Sequence, residues 1–158
     1  MLFLLFQLGP DRYALEASRV VEVVPLLELK RLPQAPPGVA GIFNYRGQPV
    51  LAVDLCSLTV GQPATERLST RIIIVNFPDG RGAERLVGLI AEHATEMLRK
   101  NPEDFVDSGV RVATASYLGP ILLDPRGPIQ WVHAQRLLAQ PLQDMLFSGV
   151  AALTDAAG

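Results

Sequence analysis

Gly41-Ile42-Phe43-Asn44-Tyr45-Arg46-Gly47, followed after Gln48 by Pro49-Val50-Leu51-Ala52-Val53-Asp54-Leu55, is the stretch that decides how this chain folds. An apolar run, a tight polar turn with one arginine before a glycine, and a second apolar run ending in Asp-Leu describe a β-hairpin. Its tip carries an exposed guanidinium. Gly47 can take the positive φ that closes such a turn, and the Asn44 side chain can bond its own backbone two residues on. Taken alone the pattern suits a purely structural hairpin as well as a binding turn.

Short β-type runs recur on either side between turn signals, with few long helical periods. The predicted strands are Leu2 to Gln7, Arg12 to Leu15, Val20 to Val24, Ile42 to Asn44, Val50 to Asp54, Arg71 to Phe77, Leu86 to Ile90, Met97 to Leu98, Tyr117 to Leu123 and Ile129 to Val132. Such density implies a small all-β architecture. Ala134 to Ala139 can form a short helix with Leu137 and Leu138 inward, and Pro141 can start another presenting Leu142, Met145 and Leu146. Residues 147–158 read as a frayed tail.

An internal repeat adds to the strand pattern. Leu2 to Gln7, the Gly9 to Asp11 turn, Arg12 to Leu15 and Val20 to Val23 with Glu22 are echoed by Arg71 to Phe77, the Pro78 to Gly82 turn, Arg85 to Leu89 and Ala94 to Met97 with Glu96. A second Arg-Gly turn, Arg126-Gly127, precedes the last strand. Two related β units within residues 1–146 are expected, with the break near residues 61–69.

Composition narrows the function classes. The chain has 158 residues, 49% of them hydrophobic, enough for one sizeable core. A formal net charge of −2 with scattered Lys and Arg leaves no basic stripe for nucleic acid. Met1 to Phe6 lacks a basic leader and is far shorter than the ~20 residues of a membrane helix, so it is expected to be a buried strand without membrane insertion. Cys56 stands alone, which fits a reducing cytoplasm. His93, His133 and Cys56 show no metal-ligand spacing, and Gly80 and Gly82 lack the lysine and helix of a phosphate loop. Neither cofactor nor catalysis is expected; a small β-barrel enzyme using Asp54 or His133 is the reading from that class that stays open.

The order of these segments resembles the CheW family of chemosensory coupling proteins. The residues that carry it are Tyr13-Ala14-Leu15, the Val20 to Val24 run with Glu22, the Pro-rich approach from Pro33 to Gly38, the Asn44-Tyr45-Arg46-Gly47 turn and the Val53-Asp54-Leu55 strand end. It continues through Ser69 to Leu98 and more weakly from Tyr117 to Leu138. The resemblance implies a double SH3-like β-barrel with short helices. It also implies a cytoplasmic, non-catalytic adaptor between the cytoplasmic tip of a methyl-accepting chemoreceptor and the regulatory domain of a CheA-type histidine kinase. Carried over residue by residue, receptor contact falls on Val20, Glu22, Gly41, Asn44, Arg46 and Gly47. Kinase contact would use partly exposed apolar positions, Val50 and Val53 in the first unit and Val87 and Leu89 in the second. All four also suit a core, because both faces of these strands are apolar.

Glu22 is the one charged residue among valines and is expected to approach Arg46, whose planar fork suits a carboxylate. The chain departs from the family pattern at Leu51, where a proline is common, at Ala91-Glu92-His93, and at Trp131-Val132-His133-Ala134. These departures leave open whether the output is swimming chemotaxis or surface sensing of the Wsp type. A stand-alone SH3-like peptide-binding module is the alternative among binding proteins.

Overall fold

The computed structural model describes residues 1–78, 84–112 and 115–138. The Pro78 to Gly82 turn, the helix expected from Pro141 and the tail at 147–158 lie outside them in whole or in part. Among the described residues nine strands form: β1 (Leu2–Leu8), β2 (Asp11–Glu16), β3 (Val20–Pro25), β4 (Val39–Tyr45), β5 (Gln48–Asp54), β6 (Arg71–Pro78), β7 (Glu84–Arg99), β8 (Leu118–Asp124) and β9 (Gly127–Val132). One short helix, α1 (Leu55–Thr59), follows β5.

Strand β7 organises the molecule. The two runs predicted at Leu86 to Ile90 and Met97 to Leu98 are a single strand of 16 residues. Its first half pairs antiparallel with β6, from Pro78 opposite Glu84 to Arg71 opposite Ala91, and parallel with β5, with Leu51 opposite Val87. Its second half pairs antiparallel with β1, from Gln7 opposite Glu92 to Leu2 opposite Arg99. A register shift falls between the pairs Leu5–Glu96 and Gln7–Glu92, and His93 inside it has φ 48°. Extra residues on one strand bend it sharply, so β7 turns from one group of strands into the other.

The pairings repeat. β1–β2 and β6–β7 are antiparallel hairpins; β2–β9 and β7–β5 are parallel; β9–β8 and β5–β4 are antiparallel; β1–β7 and β6–β3 are antiparallel. One group is therefore β3, β6, the first half of β7, β5 and β4. The other is the second half of β7, β1, β2, β9 and β8. The first is one continuous stretch of the chain, whereas the second joins strands from both ends of it.

The expected pair of closed barrels is corrected by this topology. The strands make one nine-stranded sheet along the open path β3-β6-β7-β1-β2-β9-β8, with β5 and β4 branching from β7. No ladder joins β3 to β4 or β7 to β8 among the described residues. Pro25 ends β3, and Pro33, Pro36 and Pro37 follow before β4, so this stretch is short of the amide donors a closing ladder needs. Single bridges, Lys30 to Ile42 and Val106 to Ile121, cover the outer edges of β4 and β8.

Alternation along the strands fills three cores. On β1, Phe3 and Leu5 join Leu122, Ile129 and Trp131, whereas Leu4, Phe6 and Leu8 face the central cluster. On β6, Ile72 and Ile74 join Phe43, Val50 and Ala52, whereas Ile73, Val75 and Phe77 face the same central cluster as β1. Both faces of these strands are thus buried, which is why they read as unbroken apolar runs.

Candidate functional site

The β4–β5 turn is tight. Arg46 has φ 52° and Gly47 φ 83°, the two left-handed central positions of a hairpin turn whose twist matches the strands. Gly47 accepts this freely. Arg46 does so at a cost of ~1 kcal/mol or more for an L residue. Asn44 supports the turn differently from expectation: its Oδ1 accepts the backbone N–H of Gly47, three residues on, at 2.7 Å.

Glu22 meets this turn across the gap between β3 and β4. Arg46 Nη2 lies 3.1 Å from Glu22 Oε2, and the Tyr45 hydroxyl donates to the same oxygen. The contact is a single one, not a bidentate fork, and Tyr45 shares its oxygen. The Tyr45 ring also underlies the guanidinium, with Cζ 5.2 Å from its centroid. Hydrogen bonding to Glu22 raises the phenol pKa above its ordinary value. The Arg46 side chain remains 75% exposed and that of Glu22 37%. A pair so open to water contributes roughly 0–1 kcal/mol to stability, so its value to the fold is small.

The other receptor-contact candidates lie deeper. Val20 is half-buried against the central core. Gly41 is buried at a register shift in β4, and a Cβ there would stand 2.4 Å from the Lys30 carbonyl oxygen. Glu22, Asn44, Arg46 and Gly47 thus converge on one turn, while Val20 and Gly41 belong to the packing beneath it. Tyr45, which holds two of them together, was given no role by the sequence. Its contact with Glu22 joins strands that are not neighbours in the sheet, so no local pattern announces it.

The second Arg-Gly turn also carries an Arg–Glu contact, but one residue out of step: Asp124 pairs with Gly127, so Pro125 and Arg126 are its central residues. Arg126 lies 3.6 Å from Glu96 on β7, with both side chains largely exposed. Asp124 takes the place of Asn44, accepting from the Arg126 N–H at 3.0 Å. Arg12 braces the turn from behind, 2.9 Å from Asp124 and 2.8 Å from the Gly127 carbonyl, and lowers the Asp124 pKa. Pro125 aligns with Tyr45 in sequence, but it is a central turn residue where Tyr45 is the last paired residue of β4.

The partial exposure expected of Val50, Val53, Val87 and Leu89 is corrected: they are 2%, 0%, 0% and 1% exposed. Their strands have sheet neighbours and side chains on both faces, which leaves no face for a partner.

The residues considered for catalysis have structural environments. Asp54 caps α1, with Oδ1 accepting from Cys56 N at 2.9 Å and Ser57 N at 3.2 Å, and Oδ2 from Ala64 N at 3.0 Å. His133 is half-buried, and desolvation, followed by Arg136, lowers its pKa. His93 is exposed at the β7 bulge. Among the described residues no group of three or more His, Cys, Asp and Glu could hold a metal ion, and no helix is long and apolar enough to cross a membrane.

Half-buried Glu92 meets the buried Cys56, whose Sγ lies 3.5 Å from Glu92 Oε1. Burial opposes ionisation of Glu92, but the N–H groups of Gly9 and Thr65 outweigh it and leave its pKa lowered. Burial first and the Glu92 charge second push the Cys56 thiol up to about 12. At pH 8 the folded protein should then react with a thiol reagent on the order of a thousandfold more slowly than a thiol of pKa 9.0. Labelling in buffer and in denaturant, followed by mass, checks this; rapid labelling of the folded chain would show Cys56 to be accessible.

Comparison with known proteins supplies the family. The family described as CheW-like domain matches residues 2–142. The chemotaxis protein CheW of Klebsiella aerogenes is 27% identical over 101 residues, 64% of this chain and 58% of that protein. The chemotaxis protein CheW of Helicobacter pylori is 28% identical over 103 residues, 65% of this chain and 59% of its own length. The chain therefore matches less than two thirds of the length of either relative. The crystal structure of the scaffolding protein TtCheW from Thermoanaerobacter tengcongensis superimposes with a TM-score of 0.75 at 23% identity, covering 87% of each chain. A family match over nearly the whole length, together with a matching fold, means that this chain belongs to the CheW-like domain family.

Proposed function

We propose that this chain is a non-catalytic cytoplasmic adaptor coupling a methyl-accepting chemoreceptor to a CheA-type histidine kinase in a two-component pathway. Residues 1–146 would act as one domain of two related β units. The reading is supported by membership of the CheW-like family and by relatives named as chemotaxis proteins. The observation that carries it at the level of residues is the Arg46 guanidinium, exposed on a turn whose backbone is costly for arginine. A turn kept only for its shape would favour Asn-Gly, in which both residues tolerate left-handed φ.

The receptor tip would contact the rim formed by Glu22, Asn44, Arg46 and Gly47, with Val20 and Gly41 shaping it from below. Kinase contact through Val50, Val53, Val87 and Leu89 would require opening the core, so the proposal places the kinase on other surface residues. The mechanism is geometric. One rigid body holds two partners in fixed relation, and a receptor movement biases the kinase between states to the extent that the adaptor binds those states differently.

The test is Arg46→Glu. Glutamate bears the same left-handed strain as arginine, so the thermal midpoint should stay within about 2 °C, while charge reversal at the rim lowers affinity for a purified receptor cytoplasmic domain by about tenfold or more. Isothermal titration and calorimetric melting read the two separately. Unaltered binding would place the receptor surface elsewhere, and loss of the folded state would make Arg46 a structural residue.

A further inference from the structure

An exposed Arg–Glu pair does not by itself hold a long side chain in one place, because rotamer entropy and water compete with it. At the first turn a third group is present. Tyr45 meets both partners: its hydroxyl donates to Glu22, and its ring lies 5.2 Å below the Arg46 guanidinium carbon. The tyrosine is itself anchored, half-buried against the cluster of Phe43, Val50 and Ile72. The second turn supplies an internal comparison. Arg126 sits in the β8–β9 turn and Glu96 on β7, Pro125 offers neither hydroxyl nor aromatic face, and the contact is 3.6 Å instead of 3.1 Å.

We propose that Tyr45 is the positioning residue of the docking turn, fixing the Arg46 guanidinium by bonding the carboxylate that pairs with it and by underlying its planar face. The inference rests on the proposed function for what the arginine then contacts. The positioning itself is a property of the free protein. Tyr45 thereby distinguishes the two Arg-Gly turns: the first presents a pre-ordered cation, the second a mobile one. Pre-ordering matters because immobilising a rotamer-rich side chain on association is otherwise charged against affinity.

Two variants test it. Tyr45→Phe keeps the ring and removes the hydroxyl; Tyr45→Leu removes both. The readouts are 15N relaxation of the Arg46 Nε–Hε group, identified by its loss in Arg46→Lys, affinity for the receptor cytoplasmic domain, and the thermal midpoint. Tyr45→Phe is expected to melt like the parent protein, to show a more mobile Arg46, and to bind the receptor domain about tenfold more weakly, in keeping with loss of a hydrogen bond to a charged group. Tyr45→Leu should loosen Arg46 further, towards the relaxation of Arg126.

Unchanged Arg46 relaxation in Tyr45→Phe and Tyr45→Leu overturns the proposal. So does a looser Arg46 with undiminished affinity, since docking would then not depend on its placement. A lowered thermal midpoint in Tyr45→Phe with Arg46 unmoved would make the tyrosine a packing residue. If the parent protein fails to bind the receptor domain, the proposed function falls, and the relaxation measurement alone decides whether Tyr45 positions Arg46.

Discussion

Val87→Asp is expected to abolish the folded state. Val87 is wholly buried in β7, with Leu51 of β5 on one side and Val75 of β6 on the other, and it faces the central core. An unpaired carboxylate there has no hydrogen-bond donor to meet it, and the penalty of several kcal/mol is of the same order as the ~5–15 kcal/mol that stabilises a whole domain. Circular dichroism should show no cooperative melting. Val87→Ala keeps the site apolar and should fold with a loss of about 1–2 kcal/mol from the cavity left behind. A partner-facing valine would give the opposite result, with Val87→Asp melting normally and failing only in binding. That outcome would restore Val87 to a docking surface and contradict its burial.

Gly41→Ala carries the next largest effect. The added Cβ would lie 2.4 Å from the Lys30 oxygen and 3.0 Å from its carbonyl carbon, at φ 150°. Lys30 cannot move away without breaking its bridge, in which Lys30 N–H donates to Ile42 O and Ile42 N–H to Lys30 O, each at 2.8 Å. Destabilisation of about 3 kcal/mol or more is expected, a fall in melting temperature of roughly 6–12 °C for a chain of this size. A residue that only touched the receptor would lose affinity at an unchanged melting temperature. Differential scanning calorimetry beside a receptor titration separates the two roles.

These predictions mark where sequence was informative. The hairpin from Gly41 to Leu55 was legible because its turn residues and both apolar runs agree, and the predicted strands lie within β4 and β5. The Glu22–Arg46 contact was also legible, since one charge among valines must find a partner. Strand β7 was not, because Glu92, His93, Thr95 and Glu96 break the apolar run while the backbone, which carries the ladder to β1, continues through them. Helix α1 was missed for a related reason. In sequence Asp54 marks a strand end, and the same acceptor oxygens that end a strand also cap a helix.

The buried state of Val50, Val53, Val87 and Leu89 could not be read at all. A strand buried on both faces and a strand with one face free for a partner are both apolar throughout; only the tertiary neighbours tell them apart. Closure was misjudged on similar grounds. The repeat and the turns are local and visible, whereas a missing ladder between β3 and β4 depends on where distant strands come to lie.

The sharing of β7 also has a bearing on how the protein is made. When β1 to β5 have been synthesised, β3 still lacks β6, β5 lacks the first half of β7 and β1 lacks the second half. At about 5–20 residues per second, the stretch that supplies β6 and β7 takes a few seconds to follow, during which those edges have no native neighbour. Unpaired apolar strands are the templates on which chains aggregate. The fold therefore places its most exposed interval during translation, and any delay between Thr59 and Arg99 prolongs it. For the same reason, severing the chain within residues 61–69 would not release two self-sufficient halves: each would carry strands whose partners had left with the other.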